Sequence, residues 1–179
     1  MEFVEGKTLS QILGERKVLP EEDVIPILMQ VLSALEASNK ENIIHRDIKP
    51  GNIKITQAGE IFLVDFGLVK VATPHKKTTV GARAVTPGYA PPEQYGQGST
   101  DPRSDIYALG ATLYNLLTGQ EPVESVQRMV GRHMPLANQV NPRIPPHIGA
   151  AIDRAMKLEP SQRYQTAAEF YAALATQSQ

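Results

Sequence analysis

The run His45-Arg46-Asp47-Ile48-Lys49-Pro50-Gly51-Asn52, followed by Asp65-Phe66-Gly67, sets charged and hydrogen-bonding side chains at a spacing suited to moving a phosphoryl group. Such a transfer asks little covalent chemistry of a protein. It asks for positioning, an attacking hydroxyl held in line, and cations on the phosphates. Asp47 is the candidate base or orienting carboxylate. Lys49 can project the same way along an extended loop and neutralise the phosphate in transit. Asn52 offers a neutral oxygen and Asp65 a charged one. Hard oxygen ligands suit magnesium, which takes only a few from protein and the rest from nucleotide and water. Taken singly, an Asp in a loop is more commonly a turn residue and an Asn a cap. The joint pattern at fixed offsets is what points to a site.

The elements that must position these residues show as changes of period along the chain. Residues 1–7 read as a short extended segment ending in a turn at Gly6, and a short helix follows over 9–13 with Thr8 as candidate N-cap. Val24, Ile27, Leu28, Val31, Leu32 and Leu35 then recur at helical spacing. Pro26 belongs in the first turn of that helix, with Asp23 as its cap, or else kinks it. After Asn52 the pattern changes to two short strands, 53–56 and 60–64, joined by Gln57-Ala58-Gly59. This hairpin carries Asn52 at one end and Asp65 at the other, so it can bring both side chains to a shared metal.

Residues 66–100 show little periodicity and many Gly, Pro and Thr, the signature of a functional or disordered segment. A strong helix follows, with Asp101 as cap, Pro102 at the first position and Gly119 as the stop. Ile106, Leu109, Leu113, Leu116 and Leu117, with Tyr107, Ala108 and Ala111, make it apolar almost all round, so it should be buried. Two or three amphipathic helices complete the chain, near 124–131, 146–157 and 166–175. The expectation is one mainly α domain over 1–179 with a small β-hairpin.

Composition narrows the rest. A chain of 179 residues, 41% hydrophobic and 21% charged, can bury a substantial core. A net charge of -1 gives no strong field toward nucleic acid or an acidic membrane. There are no cysteines, which excludes disulfides, thiol catalysis and cysteine-based zinc sites. The four histidines are scattered without helical metal spacing. No apolar run approaches the roughly 20 residues of a membrane span, and residues 1–6 lack the character of a signal peptide. A cytoplasmic location is the default expectation.

With the downstream motifs Thr86-Pro87-Gly88-Tyr89-Ala90-Pro91-Pro92-Glu93 and Pro160-Ser161-Gln162-Arg163-Tyr164, the chain resembles, over nearly its whole length, the C-terminal lobe of a bacterial eukaryotic-like serine/threonine protein kinase. The resemblance implies a protein-kinase-like large lobe with a hinge at 1–7, a catalytic loop at 45–52 and an activation segment at 65–93. It implies ATP and Mg2+ as cofactors and a protein substrate with a Ser or Thr acceptor, the class that Lys49 favours over tyrosine. Asp47, Lys49 and Thr86 would be catalytic, Thr86 bonding Asp47 and Lys49 and helping to dock the acceptor hydroxyl. Glu2 and Val4 would meet adenine through the hinge backbone, with Met1 as gatekeeper. Lys49, Asn52 and Asp65 would complete the nucleotide contacts, and Asn52 and Asp65 would hold the metal. Glu93 would pair with Arg163, and Asp105 would hold the catalytic-loop backbone, both in structural roles. Arg46 would receive a phosphate placed on Thr78 or Thr79, which follow Lys76-Lys77.

Three departures qualify the resemblance. Lys54 falls where the family places an apolar floor under adenine, although its aliphatic stem can serve. Pro91 replaces a commoner alanine. The N-terminal lobe is expected to be absent: no Gly-rich strand-turn-strand or strand lysine occurs, Gly96-Gln97-Gly98 is the only Gly-x-Gly, and Lys7 and Lys17 have no strand context. The chain alone should then have negligible kinase activity and need an N-lobe or another kinase chain as partner. An alternative is a non-catalytic scaffold or pseudokinase binding module. A small-molecule phosphotransferase of the aminoglycoside kinase type fits less well, because Lys49, Phe66 and the 86–93 motif argue against it.

Overall fold

The structure, a computed structural model, describes residues 5–41, 43–65, 70–71, 85–96 and 99–176. Strand β1 (Lys7–Thr8) leads directly into helix α1 (Leu9–Arg16). Thr8 caps that helix reciprocally: its hydroxyl accepts the Gln11 N–H at 3.1 Å while Gln11 Oε1 accepts the Thr8 N–H at 2.8 Å. The helix runs a turn beyond the expected 9–13 and stops where Lys17 turns to φ 66.

Helix α2 (Glu21–Lys40) contains Pro26 rather than starting near it. Its capping position is Pro20, and Asp23 is not the cap: its carboxylate accepts Arg16 Nη1 at 3.1 Å. Glu21, Glu22 and Asp23 place negative charge on the positive end of the helix dipole. The Pro26 ring removes one ladder bond near this end, and the burial of Val24, Leu28, Val31, Leu32 and Leu35 outweighs that loss.

Strand β2 (Ile43–Ile44) leads into the 45–52 loop, which closes in a tight turn over Pro50–Asn52. Strands β3 (Ile53–Ile55) and β4 (Ile61–Leu63) form the expected hairpin, each trimmed at its ends, with Ile53 opposite Leu63 and Ile55 opposite Ile61. The hairpin does not stand alone. β1 adds to it antiparallel, pairing Lys7 with Ile55, to give a three-stranded sheet in the order β1-β3-β4, so Lys7 is a strand residue after all: pairing with the distant hairpin, invisible along the chain, extends it. β2 pairs with β5 (Lys70–Val71) in a second, two-stranded ladder. Within 66–100, the short helix α3 (Pro92–Tyr95) was not expected.

Helix α4 (Pro102–Thr118) is the axis of the molecule, and every residue from Ser104 to Thr118 is buried. Its ends are built as the residue types dictate. Asp101 accepts the Arg103 N–H at 2.8 Å, Pro102 occupies the first turn, and Gly119 ends the helix at φ 71. A side chain at Gly119 would also strike Lys17 O, 2.5 Å from an ideal Cβ, so the left-handed turn and the close approach both require glycine. Helices α5 (Ser125–Met129), α6 (Ala137–Val140), α7 (Pro146–Ala155) and α8 (Ala167–Ala175) follow; α6, a single turn too short to show a period, was not expected. α2 packs on α4 and α8, and α7 packs on α4, α6 and α8, around one core that includes Leu28, Leu32, Tyr107, Leu109, Ile152 and Phe170. Among the described residues no helix is long and apolar enough to cross a membrane.

Candidate active site

The 45–52 loop is suspended from α4. Asp105 is fully buried, and its two carboxylate oxygens accept the N–H groups of His45 and Arg46, each at 2.8 Å. Burial pushes its carboxyl up to about 6, while those two amides pull the other way. The expected hold on the loop backbone is present. Arg46 adopts φ 71, a left-handed conformation that costs a non-glycine residue about 1–2 kcal/mol. Two residues on, Ile48 is wholly buried and anchors the loop in the core.

His45 links the loop to the hairpin. Its Nδ1 accepts the Asp47 N–H at 3.3 Å and its Nε2 lies 3.2 Å from Val64 O. The two contacts together fit the neutral ring protonated at Nε2. Burial lowers the imidazole below its ordinary 6.5, against the opposing pull of Val64 O and of the Asp47 and Asp65 carboxylates.

Asp47 is the centre of a polar network. Its Oδ1 accepts the Thr86 hydroxyl at 2.7 Å, and its Oδ2 lies 3.1 Å from both Lys49 Nζ and Asn52 Nδ2. Asn52 Nδ2 donates also to Asp47 O at 2.7 Å. Lys49 Nζ donates to Thr86 Oγ1 at 3.0 Å, which closes an Asp47–Thr86–Lys49 triangle. The side chains of Asp47 and Lys49 remain 15% and 30% exposed.

Thr86 reaches this position from a segment tied down on the far side. Its carbonyl accepts the N–H groups of Tyr89 and Ala90 in a turn whose Gly88 stands at φ 83. Tyr89 Oη donates to Asn115 on α4 at 3.0 Å, and Ser125 Oγ donates to Ala90 O at 2.8 Å. Glu93 then accepts both terminal nitrogens of Arg163, at 2.7 and 3.0 Å, and the Ser104 hydroxyl at 2.8 Å. Arg163 is fully buried and donates as well to the carbonyls of Lys157, Leu158 and Arg103. This is the partner that the 86–93 motif leads one to expect for Glu93. A groove of about 690 Å³ opens beside Lys49 and Thr86, lined also by Leu13, Lys17, Tyr89, Asn115 and Glu121.

The metal-directed residues fit their expected ion on chemistry. With Nδ2 of Asn52 spent on Asp47, its Oδ1 is the amide atom left to accept. Val64 N–H donates to Asn52 O at 2.8 Å, and so places Asp65, exposed and at φ 62, just past the last bond joining the two strands. One amide oxygen and one carboxylate make the sparse, hard donor set that magnesium accepts. Among the described residues no cluster of three or more His, Asp or Glu forms a fuller cage. Lys54, on β3, lies opposite Phe62. Glu2, Val4 and Met1 lie outside the described residues, as do Phe66, Gly67, Lys76, Lys77, Thr78 and Thr79.

Two participants have no sequence signal. Ser104 resembles any first-turn helix serine. Gln94 resembles any polar residue on a short helix, yet it is buried and its Nε2 donates to Arg46 O at 2.7 Å.

Comparison with known proteins assigns the family. Residues 1–173 match the model of the protein kinase domain. The chain is 36% identical over 170 residues to the serine/threonine-protein kinase PknL of Mycobacterium tuberculosis, covering 92% of this chain and 43% of PknL. It is 38% identical over 180 residues to a probable serine/threonine-protein kinase of Clostridium perfringens, covering 94% of this chain and 26% of that protein. It is 34% identical over 175 residues to PknH of Mycobacterium tuberculosis, covering 94% and 28%. The chain thus spans less than half the length of these curated relatives.

Proposed function

Because the chain belongs to the protein kinase family, with bacterial serine/threonine kinases as relatives, we propose that it supplies the acceptor-side and metal-binding half of a kinase active site, transferring the γ-phosphate of ATP to a Ser or Thr hydroxyl of a protein. The observation that carries this reading is the Thr86 hydroxyl held between Asp47 and Lys49. An acceptor hydroxyl entering from the groove would displace or join Thr86 on Asp47. Asp47 would orient it and take its proton as the new O–P bond forms and the bond to the bridging oxygen of ADP breaks. Lys49 would offset the charge of the phosphoryl group in transit.

Asn52 and Asp65 would hold Mg2+, which when bound neutralises phosphate charge. The backbone of Glu2 and Val4, with Lys49, Asn52 and Asp65, would bind ATP. The hinge at 1–7, the catalytic loop at 45–52 and the activation segment at 65–93 are the functional divisions of this reading. A phosphate on Thr78 or Thr79 would pair with Arg46, and the location would be cytoplasmic. No Gly-rich strand-turn-strand occurs in the sequence, so the 179-residue chain alone should turn over negligibly, with an N-lobe or another kinase chain completing the grip on ATP.

The test joins this chain to the N-lobe of a relative and follows phosphate transfer from labelled Mg-ATP to a generic basic protein. Transfer that disappears in Asp47→Asn supports the reading. A folded fusion that binds no Mg-ATP by calorimetry would favour a scaffold instead. Transfer by the unfused chain, lost in Asp47→Asn, would overturn the expected inactivity.

A further inference from the structure

Gln94 occupies an unusual place. It is 6% exposed, it follows Glu93, and its amide reaches back across the molecule to Arg46 O at 2.7 Å. Arg46 is the left-handed residue immediately before Asp47. Its N–H is held from the other side by Asp105. Both polar atoms of this one residue's backbone are therefore clamped, one from α4 and one from α3. The α3 clamp belongs to the same segment that delivers Thr86 to Asp47, and Glu93 anchors that segment to Arg163.

We propose that Gln94 is a positioning residue for Asp47. By donating to Arg46 O it holds the strained peptide that aims the Asp47 side chain, and it couples the order of the 86–95 segment to the geometry of the catalytic loop. The assignment of Asp47 as catalytic rests on the kinase reading above, whereas the positioning itself does not. The physical basis is selective. A part-buried carbonyl on a strained residue relaxes by rotating its peptide when it loses its donor, and the next backbone unit moved is that of Asp47. Reactive groups tolerate little displacement, with an error of about 1 Å costing up to roughly a hundredfold in rate.

The experiment uses the isotope-labelled 179-residue chain. In the wild type, the Gln94 side-chain amide protons should be protected from solvent exchange. Gln94→Met keeps length and removes the donor; Gln94→Glu places a carboxylate against the carbonyl. Backbone amide exchange at Arg46 and Asp47 should rise roughly tenfold in Gln94→Met and further in Gln94→Glu, with the Asp47 carboxylate carbon resonance displaced. Exchange at Leu113 and Leu116 in α4 should stay unchanged. Freely exchanging Gln94 side-chain protons in the wild type would overturn the proposal even if both variants failed to fold. So would exchange that is unaltered at 46–47, or raised equally in α4. In the N-lobe fusion, Gln94→Met should lower kcat at unchanged KM for ATP, and a fall confined to KM would count against it. A fusion silent even as wild type would count against the kinase reading, leaving the exchange data to decide the positioning.

Discussion

The Thr86 hydroxyl donates to Asp47 Oδ1 at 2.7 Å across 39 positions of sequence, and Lys49 Nζ bonds the same hydroxyl at 3.0 Å. The 45–52 loop and the segment after 85 are thus one polar unit, although nothing in either stretch alone shows that they meet.

Thr86→Ala should therefore affect chemistry more than folding. The Asp47–Lys49 contact survives, so stability should fall by about 1 kcal/mol, the net value of an ordinary hydrogen bond. In the N-lobe fusion, kcat should fall by roughly a hundredfold, and Thr86→Ser should restore most of it. Chemical denaturation and steady-state kinetics on the two variants check this, and a Ser variant as poor as Ala would mean that the methyl group is the essential part.

Arg163→Met should be among the most destabilising substitutions. It leaves the Glu93 carboxylate without its cation and three carbonyls without their donor. A loss of about 3–5 kcal/mol is expected in urea unfolding. Removing both charges, with Glu93→Gln added, should cost less than the sum of the single changes, because no unpaired carboxylate then remains.

Asp105→Asn should cost about 1–3 kcal/mol, since one amide cannot accept both the His45 and Arg46 N–H groups. It should also change the pH dependence. Burial raises the folded carboxyl from 3.8 to about 6, so across that window the native state binds more protons than the unfolded chain. The contribution of Asp105 to stability is complete below about 4 and declines as pH rises through 6. Unfolding free energies measured across this range should lose that declining component in the variant.

His45 acts with the opposite sign. Its folded pKa is depressed below 6.5, so its contribution is complete above 6.5 and is lost as pH falls, when the unfolded chain takes up the proton first. His45→Gln should lower stability at pH 8 and flatten the acid-side decline just below 6.5. A variant that retains the wild-type slope there would show that another group carries the dependence.

What the chain determines by itself is local. Asp101, Pro102 and Gly119 bound α4 because capping depends on the backbone within a turn of each residue. The β3–β4 hairpin follows from two short β-branched and apolar runs around a glycine turn, and the residue types and spacing of 45–52 and Asp65 are legible before any fold is known. Even locally the limit shows at α2, where tertiary burial carries the helix through Pro26 and gives Asp23 to Arg16 instead of to the cap. What only the tertiary structure decides is which distant groups meet: β1 on the hairpin, β2 on β5, and Gln94 on the carbonyl of Arg46. A buried polar atom must find a partner wherever packing brings one near, and that geometry is set by the whole core. The expected joining of Thr86 to Asp47 and of Glu93 to Arg163 came from family resemblance, because spacing along the chain contains no distance in space.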